Sequence, residues 1–563
     1  MAIQHFFLLG EPATATRAIE IDSNLDFDGL KHLVASYFAI VEPNGIGFQS
    51  QENALQEVSD VSSAEGPVAI SIDGHAVRDV PGPKGLPYIG NFLEIYPDHL
   101  GNHQRLFERY GPVIKTITMG RTVYQTNDPD IATIAFAESD FFTKKLTEDH
   151  PLYALRTPAA GIFLGDTDTE EWRIAHKFLP PALGPKAVRH YAPTMQKTIE
   201  DAIKVFDELD EQGESWNAYQ YMLKLGSQAV GKLTLGINFN HFASPDAPLH
   251  EMTLLIAELL SLNKKVTSKG NWYSNLPFGD PQRLKEVKRR IEEMVEESIQ
   301  AAARGGVEDL PLQDAALKAA NMVGNYPDYA IRATDNKGEK LPKSSLVWAL
   351  IVATAAGFTT TSSLLSWLLY GLVTYPGMQE RLLQELVDND FDEEALLTSD
   401  YTDRLVFQDK YIKEMQRKHN PSFQPGRTAK TDLILPGGYK MPKDSVIIPA
   451  LHHIHNNPQI WSDPAKFDPD RWDTEEVKNR PKGSYLPFAV GSRMCIGFNF
   501  ALQEVKVFLP KLIYRYKFTQ EGDTAVEYDP MFQLIRPNNL YLRAERRVKW
   551  PPKSKATTSN ASS

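Results

Sequence analysis

The sequence predicts a large, mainly α-helical domain with small β-sheets, preceded by a small α+β unit. Three observations carry this. Helical periodicity dominates after residue 81, over Gln196–Glu208, Leu284–Arg304, Leu341–Tyr375 and Met378–Asp388. Short strand-like runs lie scattered among the helices, at Val113–Thr118, Val123–Thr126, Ile434–Leu435, Val446–Pro449, Phe532–Ile535 and Leu540–Ala544. A stiff segment, Pro81-Gly82-Pro83-Lys84-Gly85-Leu86-Pro87, separates this region from what precedes it.

The first 80 residues have a different texture. Ala2–Leu9, Thr16–Ile21 and Pro67–Ile72 read as strands. Asp26–Val41 places Leu30, Leu33, Val34, Tyr37 and Phe38 at helical spacing, with Asp26 as a cap. The pattern resembles a ubiquitin-like, β-grasp unit; a decorated extension of the main domain fits equally well. The expected division is 1–80, 81–547 and a disordered Pro, Lys, Ser and Thr-rich tail over 548–563.

Composition narrows the function classes. The chain has 563 residues and a formal net charge of −12, which argues against nucleic acid as the main partner. A single cysteine excludes an internal disulfide and fits a reducing compartment. No charged residue lies between Lys343 and Glu380. That stretch is long enough to span a bilayer, but its Thr, Ser and Gly content favours a helix buried in a large core. No transmembrane span is therefore expected, and the chain is placed in the cytoplasm or at a membrane surface.

The lone cysteine is a buried apolar side chain, a reactive thiol or a metal ligand, and its surroundings weigh for the last. Cys495 sits in Pro487-Phe488-Ala489-Val490-Gly491-Ser492-Arg493-Met494-Cys495-Ile496-Gly497, just ahead of an apolar helical run. Unpaired N–H groups and the positive end of a helix dipole favour a thiolate there. One thiolate without His or Cys partners cannot build a four-ligand zinc site. It can serve as the axial ligand of a haem, where the macrocycle supplies the other donors.

The run Phe488-x-x-Gly491-x-Arg493-x-Cys495-x-Gly497 resembles the haem-binding signature of the cytochrome P450 family. The resemblance covers about Pro81 to Arg547 and implies that family's fold. It makes Cys495 the proximal ligand of haem b (iron protoporphyrin IX), Arg493 a haem-propionate partner and Phe488 a packing residue beside the sulfur. Glu414-Met415-Gln416-Arg417 and the Arg471 segment match the family's buried ionic network, a structural device. Trp172 and His176, one helical turn apart, match its W-x-x-x-R/H helix and would reach a propionate, as would Arg427. Ala356-Gly357-Phe358-Thr359-Thr360 resembles the oxygen-activation motif, with Thr360 as the threonine that bonds oxygen. A hydroxyl back-bonded to its own helix is the plain alternative. Thr359 stands where the family has an acid, which puts ordinary proton delivery in doubt.

Gly161-Ile162-Phe163 and the Trp172 helix look most like the haem domain of self-sufficient fatty-acid hydroxylases, with Phe163 shaping the substrate pocket beside Ala356 and Gly357. The resemblance thus implies a monooxygenase that hydroxylates a lipophilic small molecule, a fatty acid or natural-product intermediate, with O2. Electrons would come from a separate NADPH-dependent flavoprotein reductase. Arg173, Lys177, Lys413 and Lys482 offer it a basic docking face, or are simply a solvated surface. The gap at Thr359 keeps a haem-thiolate isomerase, dehydratase or peroxygenase open. A non-enzymatic haem-binding sensor is the remaining alternative.

Overall fold

The structure, a computed structural model, describes residues 2–22, 24–51, 53–157, 161–304, 309–321, 326–422 and 425–554. Strand β1 (Ala2–Leu8) pairs antiparallel with β2 (Arg17–Ile21) and turns Gln4 and Phe6 inward. Helix α1 (Phe27–Phe38) follows; the Asp26 carboxylate accepts the Gly29 N–H at 2.7 Å, as the sequence predicts. The helix stops three residues earlier than expected because Ala39 takes a left-handed conformation. Strands β3 (Ile46–Ser50), β4 (Asn53–Leu55) and β5 (Val68–Ile72) complete a five-stranded sheet of order β2-β1-β5-β3-β4. β5 is buried throughout and runs parallel to β1. A parallel central pair crossed by one helix is the arrangement of a β-grasp unit. Leu30, Val34 and Phe38 of α1 close its core against Phe6, Phe48 and Ile70.

This unit is tied into the rest of the chain. Ile434 belongs to its core, and the Ile434 N–H donates to Ala39 O (3.0 Å) while its carbonyl accepts from Val41 N–H (3.1 Å). Arg78–Asp79 adds a parallel strand to Tyr439–Met441. The Pro81–Pro87 segment is no free spacer either. The Pro81 carbonyl accepts the Lys115 N–H at 2.8 Å, and a Cβ on Gly82 would stand 1.9 Å from Lys115 O.

The larger part is mainly helical. A five-stranded sheet joins Val113–Thr118, Arg121–Thr126, Val446–Pro449, Arg427–Ala429 and Phe142–Thr143, in that order. Phe532–Ile535, expected as a strand, is irregular. Its backbone turns at Asp529 and the Ile535 N–H goes to Pro421 O (2.8 Å), while the following Pro537 cannot extend a ladder. The final strand is Tyr541–Arg546. Where the tail begins, Trp550 stacks on Tyr514 and Gln384 donates to Pro552 O at 2.9 Å. Residues 555–563 lie outside the described residues.

The central helix, Lys343–Thr374, is the one described helix long and apolar enough to cross a membrane. In the fold it is a core element, packed on the helices Ala218–Leu235, Val406–Lys418 and Phe498–Arg515. Its crossing with Ala218–Leu235 is close because small residues meet there. A Cβ on Gly226 would lie 2.7 Å from Ser362 Oγ, and one on Gly357 would lie 3.1 Å from Val230.

Candidate functional site

Cys495 lies two residues before Gly497, which caps the helix Phe498–Arg515. Its N–H donates to Phe488 O (2.9 Å), closing a tight loop. Gly491 is required in that loop. Its φ is +80°, and a Cβ there would meet Phe136 O at 2.3 Å. The Gly497 N–H donates to the sulfur, the thiolate-favouring contact that the sequence predicts, yet burial outweighs it and pushes the thiol up. A bound cation beside the sulfur would favour the thiolate. The residue nevertheless keeps accessible surface, as a ligand must.

Arg493 turns away from the sulfur. Its guanidinium donates to Ile162 O (2.6 Å), Thr167 Oγ1 (2.8 Å) and Gly165 O, and it covers the Trp172 ring. Trp172 stacks on His176 at 4.6 Å. Arg427 opens its strand beneath the same group. Its Nε is 2.6 Å from Glu138 Oε1, and Glu138 Oε2 is 3.8 Å from Arg493 Nε. Lys144 completes the cluster, with its ammonium 3.9 Å from the Phe163 ring. Two buried guanidiniums thus face one buried carboxylate, with the buried Lys144 beside them. Burial lowers the pKa of each: Arg493 to about 10, and Lys144 well below the usual lysine range with added repulsion from Arg493 and Arg427. Burial and Arg493 likewise lower His176. Glu138, Lys144 and Thr167 were not singled out in the sequence. The only local sign is an acid just past the helix Pro129–Ala137, held at a left-handed φ of 51°.

On the central helix three successive threonines bond back to their own helix. Thr359, Thr360 and Thr361 donate their hydroxyls to Ala355, Ala356 and Gly357 O, at 2.6, 2.7 and 2.9 Å. Back-bonding, the plainer alternative, is thus what the helix adopts, because an i−4 carbonyl lies within reach of every helical threonine. The helix is continuous here, from Lys343 to Thr374. Gly357 faces Val230, so its smallness serves helix crossing, and Ala356 is the exposed position. Thr359 is buried. Glu504, on the helix that follows Cys495, is fully buried beside Thr361.

Residues 80–543 match the family model described as Cytochrome P450. The chain belongs to the cytochrome P450 family. It is 45% identical to the cytochrome P450 monooxygenase alnD of Emericella nidulans, over 98% of this chain and all of that one. It is 27% identical to the bifunctional cytochrome P450/NADPH–P450 reductase ascE of Acremonium egyptiacum, over 83% of this chain and 43% of the relative. The crystal structure of cytochrome P450DA heme domain superposes with a TM-score of 0.72 at 23% identity, covering 84% of this chain and 98% of that one. The chain is a cytochrome P450 monooxygenase, an enzyme of a haem-dependent family.

The residues present fit a cytochrome P450 haem. A porphyrin with two propionates would neutralise the excess of buried cations around Arg493, Arg427 and Lys144. The Trp172 Nε1–H is buried and has no partner among the described residues, a donor placed for an added acceptor. The family's ionic network is complete. Glu414 accepts from Arg417 Nε (3.0 Å), Arg417 Nη2 (2.9 Å), Arg471 Nε (3.0 Å), Trp472 Nε1 (3.2 Å) and Asp468 N (3.0 Å). The remaining guanidinium donors go to backbone carbonyls such as His455 O and Ser462 O. Of the four basic residues considered for a docking face, three are already paired: Arg173 with Glu170, Lys177 with Asp335 and Lys413 with Asp409.

Proposed function

We propose that this chain is a haem-thiolate monooxygenase of a lipophilic small molecule, a fatty acid or natural-product intermediate. It would use haem b, O2 and electrons from a separate NADPH-dependent flavoprotein reductase. The observation that carries the reading is the pairing of a tight Cys495 loop with buried cations that outnumber the buried carboxylate paired with them among the described residues. When bound, the haem supplies the oxygen chemistry, and the thiolate's electron push favours O–O cleavage.

The chain's own residues would do the rest. Cys495 would give the iron its fifth ligand, and the Gly497 N–H would moderate the sulfur's donor strength. Arg493, Arg427, Lys144, His176 and Trp172 would hold the propionates. Phe488 would pack beside the sulfur. Phe163 and Ala356 are exposed and would line the substrate side, with Thr360 at its edge. Thr360 would accept a hydrogen bond through its hydroxyl lone pairs, its own donor being held by Ala356 O.

A second reading, isomerase, dehydratase or peroxygenase chemistry without a reductase, is favoured by Thr359, a buried hydroxyl where the family has an acid. Turnover with NADPH, reductase and isotopically labelled dioxygen separates the two. Label in the product, dependent on both NADPH and reductase, is expected. Turnover without them would establish the second reading.

A further inference from the structure

Residues 1–79 lie ahead of the stretch that matches the family model, so their unit is an addition to the family's domain. It is built into one particular place. The segment Ala39-Ile40-Val41 runs alongside Ile434 through the two backbone bonds described above. Asp73 Oδ2 accepts the Gly437 N–H at 2.8 Å. Lys440 Nζ reaches Glu11 Oε1 at 2.9 Å and Asp79 Oδ1 at 3.5 Å. The Arg78 guanidinium covers the Tyr439 ring at 4.5 Å. Each of these contacts falls on the hairpin Leu433–Met441, which connects the paired strands Arg427–Ala429 and Val446–Pro449.

The same unit enters the core beneath that hairpin. Ala39 and Val41 pack against a buried apolar cluster that holds Ile131, Ala135, Phe142 and Ala429. Those four residues anchor the segments that carry the charged site. Ile131 and Ala135 belong to the helix that ends just before Glu138. Phe142 lies in the short strand just ahead of Lys144, and Ala429 in the strand that Arg427 opens. The two strands pair directly, Phe142 opposite Ala429, and Thr428 Oγ1 donates to Lys145 O at 2.6 Å. A close-packed interior transmits small displacements instead of absorbing them. Support at Ala39 and Val41 therefore bears on where Glu138, Lys144 and Arg427 stand.

We propose that the N-terminal unit is a positioning element for the propionate site. By bracing the Leu433–Met441 hairpin and the core beneath it, the unit fixes Arg427, Lys144 and Glu138 for a porphyrin carrying two carboxylates, and it acts through that core. The proposal rests on the haem reading above. It gives the unit a task inside the chain instead of the recruitment of a partner.

The test uses the full chain loaded with haem and follows loss of haem to excess apomyoglobin by absorbance. The interface variant Val41→Ser, Lys440→Ala should lose haem about tenfold faster than wild type, the scale on which outer supports act on a bound metal group. Val41→Ile with Lys440→Arg should restore the native rate. Ile3→Ser with His5→Ser, both exposed on β1, should leave it unchanged. Haem dimethyl ester, whose propionates carry no charge, separates positioning from general loosening: the interface variant should lose the ester no faster than wild type does. In the haem-free chain, deuterium uptake over residues 138–145 and 427–430 should rise in the interface variant and not in the β1 variant. Equal haem loss by wild type and interface variant, an equal acceleration for the ester, or unchanged deuterium uptake would overturn the proposal and leave the haem reading standing. Two separate melting transitions would also overturn it, by showing that the unit folds free of the hairpin. A wild-type chain that takes up no haem would overturn both.

Discussion

Glu138 Oε1 stands 2.6 Å from Arg427 Nε, and through its other oxygen the same carboxylate faces Arg493. Both guanidiniums and the carboxylate are almost wholly buried. Removing the carboxylate's charge would leave two buried guanidiniums facing one another. Breaking a buried pair in this way typically costs about 3–5 kcal/mol. Glu138→Gln should therefore lower the unfolding free energy of the haem-free chain by about 3 kcal/mol in a urea titration. A loss within about 0.5 kcal/mol would mean the cluster is already neutralised by other groups.

Arg417 spends its guanidinium on Glu414 and on the carbonyls of His455, Pro464 and Lys466. An ammonium has neither the fork nor the reach to satisfy these acceptors. Arg417→Lys should reduce soluble yield and lower the melting temperature sharply, on the scale of about 3 kcal/mol for a broken buried network. A variant that melts with the native chain would show the network to be dispensable.

Glu504 gives a pH signature. Burial raises its pKa well above the usual carboxyl value, against the opposing effect of its polar neighbour Thr361. The folded chain therefore keeps this proton where the unfolded chain, with a carboxyl near the ordinary value of about 4.3, has released it. Folding stability should fall as pH rises through that window, by up to about 1.4 kcal/mol per pH unit from this group. Glu504→Gln should remove that slope. Denaturation midpoints measured across pH would show the two curves converging at acid pH and separating above it. Parallel curves would contradict a neutral Glu504.

Gly491→Ala tests the loop that presents the thiol. The position combines a left-handed φ with a 2.3 Å approach to Phe136 O, and neither tolerates a Cβ. Backbone strain alone costs about 1–3 kcal/mol, and the steric clash adds to it. The variant should be less stable and retain haem poorly on gel filtration; a fully haem-loaded, equally stable variant would show that the loop can relax.

Much of this was legible in the sequence because it is encoded locally. Cys495 lies just ahead of a helix, Glu414 and Arg417 pair across one turn, and the uncharged run forms the central helix, each a local feature of the chain. The strands and the capped helix of the first 80 residues were visible through strand-like runs and the Asp26 cap. What escaped depends on contacts between distant segments. Glu138 and Lys144 carry no motif, and their importance arises only when their strand and helix meet Arg427 and Arg493. The direction of Gly357 toward Val230, and the choice of Thr360 to bond Ala356, are set by helix packing rather than by residue type. Phe532–Ile535 has strand-like composition, but its backbone is claimed by Pro421 and by the Trp367 indole.

The central claim is that Cys495 holds a haem iron through sulfur. The direct measurement is the carbon monoxide difference spectrum of the dithionite-reduced protein beside Cys495→Ala. The wild-type chain should show the red-shifted Soret band of a thiolate-bound haem, and the variant should lack it. A folded, haem-loaded wild type without that band would contradict the thiolate assignment and, with it, the proposed reaction.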